Sequence, residues 1–246
     1  MLDTLFGNST AAKVLMFLGD HSETYAQEVA DSTETALSLV QAQLRRLEHG
    51  GVLVSHVKGR MRFYTFAPSF GLRDDLVSML RHGEVLAQER DVLVRNALFT
   101  LGAPTFGEEV LVKDVERALV DGVELAHRDG TVASVLPVCF FKQRERVRVE
   151  KLVREAEARG EVRALGMFLE LTAQLSGDAR FTTWAERLRT KQKRRLLDYF
   201  FVGDRRSEFA RAATKKNTPE VAKKWGFFAN MGFDAFESMF RKHAHA

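Results

Sequence analysis

The stretch VQAQLRRLEHGGVLVSHVKGRMRFYTFAP, Val40–Pro68, decides the reading of this chain. It begins as an amphipathic helix. Together with Leu37 just upstream, Val40, Leu44 and Leu47 fall at offsets of three, four and three, which makes one apolar stripe directed at a core. Gly50-Gly51 stops the helix. Two short runs follow. Val52–Val57 is rich in β-branched residues and Met61–Phe66 in aromatics, and Lys58-Gly59-Arg60 between them reads as a hairpin turn. Pro68 closes the segment. Its cations gather at two places, Arg45-Arg46 on the helix and Lys58, Arg60 and Arg62 around the hairpin tip.

Working upstream, Asn8-Ser9-Thr10 offers caps for a first helix carrying Ala11, Val14, Leu15 and Leu18, which Gly19-Asp20 ends. A short second helix is expected at Tyr25–Ala30, and Asp31–Thr35 reads as a turn with several capping residues. Residues 1–70 therefore read as three helices followed by a β-hairpin.

In that order and spacing the segment resembles the MarR/ArsR-like winged helix-turn-helix domains of bacterial transcription regulators. Tyr25–Ala30 is similar to their second helix, Val40–Leu53 to the recognition helix with its glycine exit, and Gly59–Tyr64 with Pro68 to the wing. The sequence departs from the pattern at Thr33 and Thr35, where such domains bury aliphatic residues. The resemblance covers about a quarter of the chain. It implies sequence-specific DNA binding by a dimer, with two recognition helices about one helical turn of DNA apart.

Physical chemistry leads the same way without the resemblance. Opposite the apolar stripe the helix presents Ser38, Gln41, Ala42 and Arg45. An α-helix fits the major groove, where Gln and Arg pair bidentately with base edges. Gln41 and Arg45 are thus the candidates for base contact. Arg46, Lys58, Arg60 and Arg62 are the candidates for the phosphate backbone or the minor groove. Against this, residues 1–70 hold 6 Lys/Arg and 7 Asp/Glu, a net of −1, a poor balance for a DNA-binding domain. The alternative is a protein-interaction adaptor, antitoxin-like or defence-associated, in which DNA binding is secondary or absent.

Downstream, a long helix is expected over 71–98, with Leu72, Leu76 and Leu80 every four residues and Leu86, Leu93 and Ala97 beyond. This leucine stripe is the expected dimer element. Another helix is expected from Glu108 to His127, and the apolar run Thr131–Phe141, which contains Pro137, fits a buried helix or a strand by periodicity alone and is read as a helix because helical segments follow. Amphipathic segments follow, ending at Gly160 and at Ser176-Gly177-Asp178, and then helices over 180–201 in two pieces, 204–214, 219–229 and 233–243. Met167, Phe168, Leu171 and Leu175, then Val221, Trp225 and Phe228, then Phe233, Phe236 and Phe240 repeat at helical spacing and read as core.

The net charge of +4 is uneven. From Arg187 onward there are 15 Lys/Arg and 6 Asp/Glu, a net of +9; the first 186 residues hold the other 22 and 27, a net of −5. Lys191, Lys193, Arg194 and Arg195 form the densest cluster and mark a second nucleic-acid or partner surface. One cysteine, Cys139, permits no intrachain disulfide, and its apolar setting reads as buried. The sequence has no phosphate-binding loop, no Gly-x-Ser-x-Gly, no His-Glu-x-x-His and no Cys/His set at zinc spacing. No apolar stretch reaches the roughly 18 residues a membrane helix needs, and Met1–Phe6 does not open like a secretory signal.

The expectation is a mainly α protein without cofactor, metal or enzymatic activity, located in the cytoplasm. A winged helix-turn-helix domain spans 1–70, a helical connector and dimerisation region 71–130, and an all-helical domain 131–246. Its function is that of a dimeric regulator of transcription, a repressor. Its partners are double-stranded DNA, a second copy of the chain, and a partner protein or small-molecule effector at the helical domain.

Overall fold

The computed structural model describes residues 6–105, 107–190, 197–201 and 208–245. The protein is mainly helical, with a small three-stranded antiparallel sheet. It divides into two compact units, Met1–Glu89 and Arg90–Ala246.

In the first unit, helix α1 (Ser9–Asp20) starts where the Asn8 side chain accepts a hydrogen bond from the Ala11 N–H at 2.8 Å. Strand β1 (Thr24–Tyr25) precedes α2 (Ala26–Thr33), and α3 (Leu37–His49) leads into β2 (Leu53–Lys58) and β3 (Met61–Phe66). The sheet order is β1-β3-β2. Helix α2 runs into the segment expected to be a turn, as far as Thr33, whose hydroxyl bonds back to the Val29 carbonyl at 2.7 Å. The exit comes at Glu34, whose φ of 52° is left-handed. The core joins Val14, Leu15, Leu18, Val29, Val40, Leu44, Leu53, Tyr64 and Phe66.

Helix α4 (Arg73–Thr100) contains the expected leucines from Leu76 onward, but they do not form one face. Leu76 and Leu80 pack into the first unit's core beside Val77, which meets Gly19. Leu86 and Leu93 are exposed, as are Leu72 just before the helix and Met79, Val85 and Val92 within it. The physical reason is the period. Leu86 and Leu93 follow Leu80 by six and thirteen residues, roughly 120–140° around a helix of 3.6 residues per turn, so they fall on another face.

The second unit holds α5 (Val115–Ala126), α6 (Gly130–Gln143), α7 (Val149–Arg159), α8 (Val162–Ser176), α9 (Ala179–Arg189), β4 (Asp198–Tyr199), α10 (Glu208–Asn217), α11 (Glu220–Lys224), β5 (Phe227–Phe228) and α12 (Phe233–His243). Three expectations are corrected here. The helix placed from Glu108 starts only at Val115, because Asp114 is the residue that caps it, accepting from the Arg117 N–H at 3.1 Å. Residues 198–199 are strand rather than helix, and they pair in parallel with 227–228. The helix expected over 219–229 ends at Lys224, before Gly226 takes a φ of 80°.

The apolar stripes pack inward. Phe140, Phe168, Phe181 and Trp225 are fully buried, and Gly166 lets the Trp225 ring lie directly on the backbone of α8. The Trp225 indole donates to Glu170 at 2.8 Å. The cavity lined by Met167, Phe168, Phe200, Met231 and Phe236 holds only about 10 Å³, far less than an organic ligand fills. Cys139 is fully buried, and desolvation pushes its thiol up to about 12. The β4–β5 pair is held by two basic side chains. Arg163 donates to the Trp225 carbonyl at 3.0 Å and lies 4.3 Å from the Phe227 ring centre. His127 sits 2.9 Å from both the Phe200 carbonyl, through Nδ1, and the Glu161 carboxylate, through Nε2. Among the described residues no helix is long and apolar enough to cross a membrane.

Candidate nucleic-acid interface

The site is built on α3 and the β2–β3 hairpin. Val40, Leu44 and Leu47 bury one side of α3. Ser38, Leu39, Ala42, Arg45 and Arg46 are left exposed on the other, and Gln41 is half-buried. Leu37 was expected in the stripe but is 36% exposed. As the first residue of α3 its side chain leans past the helix N-terminus, beyond the packed turns, and borders the cleft described next. At the other end the Gly50 N–H reaches the Arg46 carbonyl at 3.0 Å, and Gly51 at φ 72° turns the chain into β2.

The hairpin is tight. Lys58 pairs with Met61 and Val57 with Arg62, leaving Gly59-Arg60 as a two-residue loop. Gly59 has a φ of 67°, the left-handed value a II′ turn needs at its first central residue. Between α3 and the hairpin lies an open cleft of about 370 Å³, lined by Tyr25, Ala26, Gln27, Leu37, Gln41, Arg45, Arg60, Met61, Arg62 and Tyr64.

Four of the sequence-derived candidates, Gln41, Arg45, Arg60 and Arg62, thus share one cleft. Ser38 and Ala42 lie on the exposed face of the same helix. Arg46 is exposed, with Nη2 3.5 Å from the Phe6 carbonyl. Lys58 lies off the cleft. It is paired with Glu23 at 3.2 Å and stands 5.5 Å from the Phe63 ring centre. Lys191, Lys193, Arg194 and Arg195 lie outside the described residues.

The cations differ in their partners. Arg45 and Arg60 make no ion pair or hydrogen bond among the described residues. Arg62 faces Glu48 at 3.6 Å, and Glu48 also accepts from the Ser55 hydroxyl, so one carboxylate of α3 grips the hairpin twice. Glu23 holds Lys58 and sits 3.2 Å from His56. Sequence reasoning missed Glu23 and Glu48. Glu48 is within reach by spacing, seven residues before Ser55. Glu23 is 35 residues from Lys58, and only the pairing of β1 with β3 brings it there.

The C-terminal cations are also less free than their number suggests. Arg187 pairs with Glu150 at 2.8 Å, Lys223 with Glu220 at 2.6 Å, Arg241 with Glu237 at 2.7 Å, and Lys224 with Glu170. Two of these acids, Glu150 and Glu170, come from earlier helices, and the other two lie one turn away on the cation's own helix. Among the described residues no group of three or more His, Cys, Asp or Glu is placed to hold a metal ion. Comparison of the chain with protein-family models, curated proteins and solved structures finds no match.

Proposed function

We infer that the chain is a winged helix-turn-helix regulator that binds double-stranded DNA, with α3 in the major groove and the β2–β3 hairpin against the adjoining backbone. One observation carries this reading. Gln41, Arg45, Arg60 and Arg62 converge on a single open cleft between an exposed helix face and a hairpin tip. Gln41 and Arg45 are the base-reading pair, and Arg46, Lys58, Arg60 and Arg62 serve phosphates. The order of helix, short strand, two helices and hairpin supports it. The protein acts as a homodimer that represses by occluding a promoter. In support of a dimer, Met79 and Leu86, seven residues apart on the first unit's part of α4, are both exposed.

Binding to selected genomic fragments, followed at several salt concentrations, tests this. Arg45→Ala is expected to cost about 1–3 kcal/mol on the preferred site and to relax its specificity. If sequence preference survives Arg45→Ala unchanged, Arg45 does not read bases.

A second reading draws on a different observation. Val54 and Met61 leave one face of the hairpin with exposed apolar side chains, and two of its cations are already paired with acids. A protein-binding adaptor would use that surface. It would show negligible, salt-insensitive DNA binding together with a tightly co-purifying partner.

A further inference from the structure

Strand β3 is the middle strand of the three-stranded sheet, with Tyr64 paired to Thr24 on one side and to Ser55 on the other. Alternation puts Arg62, Tyr64 and Phe66 on one face of β3, the face that meets the helices. Tyr64 belongs to the first unit's core, and only 5% of the residue is exposed. A phenylalanine would fill that packing as Phe66 does, so the hydroxyl is surplus to it. That hydroxyl makes no hydrogen bond among the described residues. Nor is it sealed in, since Gln43 Oε1 is the one enclosed side-chain polar atom left unbonded among those residues. It therefore opens onto the cleft between α3 and the hairpin, where Tyr64 is the one buried residue of the lining.

The same cleft is bordered by the N-terminal end of α2, at Tyr25, Ala26 and Gln27. No side chain caps that end. The first-turn N–H groups of a helix have no acceptor within it, and they carry the positive end of its dipole. Glu28, the acid of this turn, accepts from the Thr24 hydroxyl at 2.7 Å and does not line the cleft. Among the described residues no carboxylate lines it, although residues 1–70 hold more acids than bases. Three arginines do, and Arg45 and Arg60 are unpaired among the described residues. An unbonded hydroxyl, uncapped N–H groups and unpaired guanidinium groups around one space complement the oxygens of a phosphate.

We propose that the floor of the cleft holds one phosphate of the DNA backbone, gripped by the Tyr64 hydroxyl and the first-turn N–H groups of α2, with Arg60 at the mouth. This rests on the preceding reading of α3 and adds a fixed point to it. Phosphate contacts carry no sequence information but set register and orientation on the duplex. An exposed lysine such as Lys58 follows any phosphate within reach of its long side chain. A hydroxyl on a ring locked into the core accepts a phosphate at one position only. A phosphate seated between the start of α2 and the hairpin therefore brings Gln41 and Arg45 to the same base pairs each time.

Tyr64→Phe removes the hydroxyl and keeps the ring, so binding of the full chain to a preferred DNA fragment at several salt concentrations tests the site. Affinity should fall about tenfold, as for a lost hydrogen bond to a charged group. The dependence of log K on log salt should stay as it is, because a neutral donor releases no counterion, whereas Arg60→Ala should make it shallower. Sequence preference should not change. Methylphosphonate substitution, one DNA position at a time, locates the phosphate without altering the protein. One position should weaken binding by the wild type and weaken Tyr64→Phe much less. Unchanged affinity in Tyr64→Phe, an altered sequence preference, or equal methylphosphonate effects in both chains at every position would each overturn the site and leave the reading of α3 standing. A wild type that binds no DNA would remove that reading and the site with it. Inorganic phosphate that weakens wild-type binding more than chloride of equal ionic strength, spares Tyr64→Phe, and comes with no coupled DNA position would give the site to a free anion and overturn the backbone assignment.

Discussion

Removing an acid from the proposed interface should strengthen DNA binding. Glu23 is the residue to change. Its carboxylate holds Lys58 at 3.2 Å and faces His56 at 3.2 Å, with the Lys58 side chain 68% exposed. A phosphate arriving at the hairpin must displace that carboxylate. An exposed pair of this kind contributes about 0.2–1 kcal/mol, so Glu23→Gln should return that amount and tighten binding about 1.5- to 5-fold at low salt. It should also leave Lys58 free to release a counterion, steepening the dependence of log K on log salt by about 0.9. Fluorescence anisotropy between about 50 and 200 mM salt reads both quantities. Adding Lys58→Ala to the Glu23→Gln chain should cancel the gain. If Glu23→Gln leaves affinity and slope unchanged, or if its gain survives the loss of Lys58, then Lys58 does not meet phosphate and the hairpin does not sit on the backbone as proposed.

Other outcomes follow from the second unit. Both ring nitrogens of His127 face acceptors, so the imidazole is fully bonded only with both protons. Burial alone would lower its pKa, but the Glu161 carboxylate, helped by the Phe200 carbonyl and by Glu124, outweighs burial and raises it above the ordinary 6.5. A raised pKa stabilises the fold fully below the unfolded value, and that share is lost as pH rises through the folded value. Thermal melting of the second unit should therefore fall as pH climbs above about 6.5, and His127→Gln should flatten that slope while lowering the acidic plateau. Gly166→Ala drives a methyl group into the Trp225 ring and should cost about 1–3 kcal/mol in urea unfolding; wild-type stability in that variant would mean the ring is free to move.

Much of the first unit was readable because its signals are local. Asn8 stands directly before the first apolar-periodic residues, and it is the cap observed. The hairpin announces itself through β-branched and aromatic runs around Gly59. What failed were features set by distant partners. Val110, Leu111 and Val112 fit a helix by hydrophobicity alone, and the tether of Glu108 and Val110 to Asn96 and Thr100 has no local signature. Asp114, a capping residue in front of an apolar-periodic run, was the available sign that the helix begins later. The two-residue strands β4 and β5 are too short for any periodicity, and they depend on His127 and Arg163 from other helices. In the cleft, the helix face and the hairpin cations could be read by spacing. The carboxylates that hold Lys58 and Arg62 could not, because which acid meets which cation is decided by tertiary packing.

The burial of Cys139 has a practical consequence. It is the chain's sole thiol, fully enclosed on α6 against the Leu98 carbonyl, and at neutral pH it carries almost no thiolate. A maleimide added to the native protein should find nothing to alkylate until the surrounding helices separate. Each labelled molecule then records one opening event, so the chain carries its own clock for the breathing of its larger half, with no engineered probe.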